Sequence, residues 1–101
     1  MTALFRYSAR LAFAARTGRA VLERMYVLTP HALLEMREDR LDVVDVESAI
    51  LTGRIERVFE NDPRGPRYEV VGKACDLDTE VGVVARFVGA MLIITVYEKK
   101  R

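Results

Sequence analysis

Apolar side chains recur at helical spacing at Leu4, Tyr7, Leu11 and Ala15, with Arg6, Arg10 and Arg16 largely off that stripe. Residues 3–16 are therefore expected to form an amphipathic helix, with Thr17-Gly18 as its end. Met25-Tyr26-Val27-Leu28 reads as a short strand leading into Thr29-Pro30, a capping residue followed by the proline that suits a first helical position. A helix is expected from there to about Arg40. Asp42 then caps another, from Val43 to about Thr52, whose Val43, Val46, Ala49 and Ile50 share a face and which stops at Gly53.

From Arg54 the period changes from helical to alternating. Arg54 to Glu60 is expected as a strand with Ile55 and Phe59 on one side, joined through the turn formers of residues 61–66 to a strand in which Tyr68, Val70 and Ala74 alternate with Arg67, Glu69 and Lys73. A third strand places Val81, Val83, Ala85 and Phe87 on one face and Val84, Arg86 and Val88 on the other. Met91 to Tyr97, apolar on both faces, is expected to be central. The order predicts an α+β fold, with N-terminal helices packed on a mostly antiparallel sheet of four to five strands. Residues 1–24 read as a basic amphipathic helix or arm and residues 25–101 as a single domain.

Composition narrows the picture. A chain of 101 residues with half its positions hydrophobic and 31% charged supports one modest core. The net charge of +1 hides a basic start, where Arg6, Arg10, Arg16, Arg19 and Arg24 face the single acid Glu23. That start suits a strut, an interface helix or a basic surface for phosphates. No apolar run is long enough to span a bilayer, so no membrane partner is expected, and since one cysteine can form no intramolecular disulfide the cytoplasm is the default location. Cys75 is the only cysteine and reads as a small buried hydrophobe.

Candidate chemistry centres on His31, the only histidine. It falls in the first turn of the capped helix, where the partial positive charge favours neutral imidazole. The same position also suits a purely structural helix-terminal residue. One histidine and one cysteine cannot furnish a nitrogen and sulfur metal site, and the six glycines are scattered, so neither metal nor nucleotide cofactor is expected. What remains is metal-independent phosphoryl chemistry, as in RNA cleavage. His31 would then serve as base or acid, Arg37, Arg40, Arg67 and Arg86 would supply guanidinium groups for phosphate, and Tyr68 and Tyr97 would donate hydrogen bonds or stack on bases.

A resemblance extends this reading. Leu28-Thr29-Pro30-His31-Ala32, Met36 with Arg37 and Arg40, Asp45-Val46-Glu47 before Gly53, the turn Pro63 to Tyr68 and the finish Ile93 to Tyr97 together resemble the small bacterial family called domain of unknown function 4258, over about residues 26–98. The family commonly has a basic residue where this chain has Glu35, and an arginine-glycine pair where it has Asp39-Arg40. The resemblance implies a RelE/barnase-like toxin of a toxin–antitoxin pair, with an antitoxin protein and RNA or the ribosome as partners. It singles out His31, Arg37, Arg67, Tyr68 and Tyr97, with Arg40 standing in for the displaced arginine. The competing expectation is a non-catalytic interaction module that forms a homodimer through its N-terminal helix.

Overall fold

A computed structural model describes residues 2–100, with side chains from Ala12 onward. The elements run α1 (Thr2–Leu22), β1 (Tyr26–Leu28), α2 (Pro30–Glu38), α3 (Val43–Thr52), β2 (Arg54–Phe59), β3 (Arg67–Lys73), β4 (Glu80–Val88) and β5 (Ala90–Glu98). Neighbouring strands follow the order β1-β5-β4-β3-β2; all pairs are antiparallel except β1 with β5, which is parallel. This is the α+β arrangement that the alternating and helical periods predict. No helix among the described residues is long and apolar enough to cross a membrane.

Among the described residues the helices pack on one face of the sheet, and the other, the open face, is covered only by its own side chains. Val81, Val83 and Ala85 of β4, with Met91, Ile93 and Val96 of β5, meet Ala32 and Met36 of α2, Val46, Ala49 and Ile50 of α3, and Ala20 and Val21 of α1 in one core. A second cluster joins Phe13 of α1 to Ile55 and Val70. The close approach of α3 to β3 needs a glycine, since a Cβ on Gly72 would fall 1.9 Å from the Ala49 carbonyl oxygen.

Two expectations change. The first helix does not end at Thr17-Gly18 but runs to Leu22. Thr17 is buried and turns its hydroxyl inward to the Ala14 carbonyl at 2.9 Å, so it serves the helix rather than breaking it. In β2 a register shift between Ile55 and Arg57 leaves Ile55 and Val58 on the covered side, and Phe59 pairs with Arg67. As its two apolar faces predict, β5 is an interior strand and not an edge, lying between β4 and the short β1, which meets only Met91, Leu92 and Ile93.

Beyond that point α2 itself finishes the β5 edge. The Glu35 carboxylate accepts the Val96 amide at 3.1 Å and the Asp39 carboxylate accepts the Glu98 amide at 2.9 Å. Two acids one helical turn apart thus take the place of a missing strand.

Candidate functional site

The turn from β1 into α2 is stitched to β5. The Thr29 amide donates to the Ile93 carbonyl, and its hydroxyl donates to the Ile94 carbonyl at 3.2 Å while accepting from the Ala32 amide at 3.1 Å. Pro30 follows at the start of the helix, as its missing N–H allows. His31 is thereby fixed in the first turn, exposed, with Nε2 at 3.3 Å from Glu35 Oε1. Because Glu35 is anchored by the Val96 amide, the imidazole lies beside a carboxylate of fixed position. Arg37 does not join it. Six residues along a helix turn the side chain about 120° away from His31. Arg40 lies past the helix end in the left-handed conformation, φ 56°, and both arginines are exposed.

Arg67, Arg86 and Tyr97 instead belong to the open face of the sheet. The register Tyr68↔Ala85 puts Arg67 and Arg86 side by side there, with Phe59 flanking Arg67 and Leu92 flanking Arg86. The Arg67 guanidinium lies 4.9 Å from the centre of the Phe59 ring. Asp62, from the β2–β3 loop, reaches over both cations: its Oδ2 is 2.9 Å from Arg67 Nε and 3.0 Å from Arg86 Nη2. Its Oδ1 accepts the Arg64 amide at 2.8 Å. That amide bond, opposed by desolvation and reinforced by the Arg86 and Arg67 charges, holds the Asp62 carboxyl below its usual range.

The neighbouring rows hold a second ionic centre. Arg57 Nε donates to Glu69 Oε1 at 2.9 Å, and the Tyr97 hydroxyl donates to Glu69 Oε2 at 2.7 Å. The Tyr97 ring reaches Glu69 across Gly82, where a Cβ would meet it at 2.1 Å. Burial pushes the Glu69 pKa up, but the hydrogen bonds from Arg57 and Tyr97 outweigh that and leave it lowered. Burial, then the Glu69 hydrogen bond and charge, push Tyr97 up to about 12.

Tyr68 lies on the covered face, with its ring stacked on Phe13 at 3.6 Å between centroids. The structure therefore brings Arg67, Arg86 and Tyr97 to one surface, keeps Tyr68 on the other, and places His31, Arg37 and Arg40 on or beside α2. Cys75 is exposed rather than buried, and donates to the Val44 carbonyl at 3.3 Å. Desolvation and the neighbouring Asp45, Asp76 and Asp42 raise its pKa, the reverse of what a thiolate nucleophile needs.

The sequence model of the family described as Domain of unknown function (DUF4258) matches residues 28–98. The chain belongs to that family. The family region takes in α2, the open face and all of β2 to β5, and it leaves out α1. No curated protein and no solved structure matches the chain.

Sequence reasoning about this family region misses Arg57, Asp62, Glu69 and Glu35. Glu69 and Arg67 are legible as sharing one strand face, but Arg57 joins them only through the register set by the bulge in β2. Glu35 looks like one of many helix-surface acids until the unpaired edge of β5 is seen beside it.

Proposed function

We propose that this protein is a metal-independent ribonuclease of the toxin type that engages RNA on the open face of its sheet. The observation that carries the reading is the gathering of Arg57, Arg67, Arg86, Phe59 and Tyr97 on that one helix-free face, with Arg57 exposed, Arg67 partly so and Arg86 buried under Asp62. Guanidinium groups match phosphate oxygens in a two-pronged geometry, and an aromatic ring among them suits an unstacked base. In such cleavage the 2′-hydroxyl gives its proton to a base and attacks phosphorus, while the 5′-oxygen leaves with a proton from an acid. A 2′,3′-cyclic phosphate results.

Two groups suit the proton transfers. The ionised Glu69 carboxylate, on the open face, suits the base alone. His31 beside Glu35, at the outer edge of β5 two strands away, suits the acid only for a substrate that reaches round that edge. Arg37 and Arg40, exposed on the α2 side, fit the RNA strand outside the reacting phosphate. The reading implies action in the cytoplasm, where RNA is available, and an antitoxin protein that covers the open face.

The test is incubation of wild-type, His31→Ala and Glu69→Gln proteins with structured and single-stranded RNA in the presence of a chelator, with and without ribosomes, followed by end-group analysis. Wild type is expected to leave 2′,3′-cyclic or 3′-phosphate ends, and each variant to cleave about a hundredfold more slowly. Absence of cleavage by folded wild type in both conditions overturns the reading in favour of a non-catalytic module.

A further inference from the structure

Two adjacent arginines on one sheet face repel each other unless an anion lies between them. Here that anion is a single oxygen. Asp62 Oδ2 serves both guanidinium groups, while Oδ1 is committed to the Arg64 amide. The match is incomplete. Arg86 is only 6% exposed, yet its Nε has no hydrogen-bond partner. Arg67 Nε is close to the carboxylate but not aligned for a hydrogen bond, so it too is unsatisfied. Two guanidinium groups offer ten N–H donors, far more than one carboxylate oxygen can use. A tetrahedral oxyanion, with several acceptor oxygens in different directions, suits this arrangement better. Arg67, with a third of its side chain exposed, opens the pair to solvent.

We propose that Arg67 and Arg86 form a phosphate-binding site whose occupant in this fold is the chain's own Asp62, and that an RNA phosphate takes the carboxylate's place. Asp62 is carried by the β2–β3 loop, between Phe59 and Arg67, so displacing it moves a connection and not a strand. The inference rests on the ribonuclease reading for its substrate class, but inorganic phosphate tests it without RNA.

The experiment compares wild type, Asp62→Asn and the double variant Asp62→Asn/Arg67→Gln by thermal unfolding across a phosphate titration, with chloride at equal ionic strength as the control. Asp62→Asn is expected to gain several degrees in a saturable way, wild type to move no more than in chloride, and the double variant to lose most of the gain. Should Asp62→Asn be unfolded in chloride, phosphate is expected to restore its cooperative transition. A phosphate response no larger than that of chloride, or failure of phosphate to restore the fold, overturns the site.

With a labelled single-stranded RNA, Asp62→Asn is expected to bind about tenfold more tightly at low salt and with a steeper salt dependence. Weaker RNA binding by Asp62→Asn makes the residue a loop staple and overturns its displacement by RNA. A phosphate-responsive Asp62→Asn beside a wild type that never cleaves RNA keeps the site and rejects the nuclease. Cleavage without a phosphate response does the reverse.

Discussion

At the scale of single residues, the open face shows how a strand position chosen for polarity becomes a fixed charge. Glu69 is 5% exposed, and its carboxylate persists there because Arg57 and Tyr97 both donate to it. The tyrosine side of that bond gives a prediction about pH. An unperturbed phenol has a pKa of 10.0, and those of Tyr97 and Tyr26 are pushed up to about 12, in each case by burial first and then by a carboxylate acceptor, Glu69 or Glu47. The folded-state value lies above the unfolded one, so both groups contribute fully below pH 10 and lose their contribution as pH rises through about 12. A spectrophotometric titration is expected to show two late-ionising phenols, with one disappearing in Tyr97→Phe and the other in Tyr26→Phe. Tyr97→Phe is also expected to cost about 1.5 kcal/mol in denaturant unfolding at neutral pH, the usual order for a hydrogen bond to a charged group. A titration in which every phenol ionises together near the ordinary value refutes the assignment.

At the scale of elements, the ends of the helices separate what is legible in the sequence from what is not. Thr29 and Asp42 are readable as caps because capping is local chemistry. The C-terminus of α1 is not, and although the end of α2 near Arg40 is, both carry the hydrogen bonds of a glycine-type stop with arginine at the glycine position. Met25 bonds back to Ala20 and Arg24 to Val21; Leu41 bonds back to Met36 and Arg40 to Arg37. Arg24 and Arg40 take φ of 57° and 56°. Without a glycine to announce the stop, Thr17-Gly18 attracts it, and only the burial of Thr17, Ala20 and Val21 shows that the helix continues. The same limit hides the parallel pairing of β1 and the bulge in β2, since both depend on register between distant segments. Candidate arginines on strands are legible as sharing a face; their counterions are not. The left-handed arginines predict an outcome opposite to that of most helix substitutions. Arg24→Gly and Arg40→Gly are each expected to stabilise by about 1 kcal/mol, whereas Arg37→Gly, inside α2, is expected to destabilise by about the same amount. Urea midpoints check all three. If Arg40 contacts RNA, Arg40→Gly gains stability while its RNA affinity falls.

At the scale of the whole molecule, the family region and the packed unit have different limits. The family match begins at residue 28, yet Ala20 and Val21 of α1 belong to the main core, and Phe13 lies between Tyr68 and Phe87. The C-terminal half of α1 therefore covers part of the sheet that strands β2 to β5 leave apolar on that side. The Arg16 guanidinium extends the cover, lying 3.8 Å over the Phe87 ring. Removing α1 exposes these aromatic rings and the α3 flank together, a loss comparable to the whole stability of a domain of this size, about 5–15 kcal/mol. A chain beginning at Met25 is thus expected to lose its cooperative thermal transition and bind hydrophobic dye. Phe13→Ala, a milder version of the same change, is expected to cost about 3–4 kcal/mol while keeping two-state unfolding. Circular dichroism and denaturant titration read both. If the chain from Met25 unfolds cooperatively with the wild-type midpoint, then α1 is an appended arm and the family region is a complete domain. If Phe13→Ala alone approaches the cost of the truncation, the helix is held by its aromatic contact with Tyr68 more than by Ala20 and Val21.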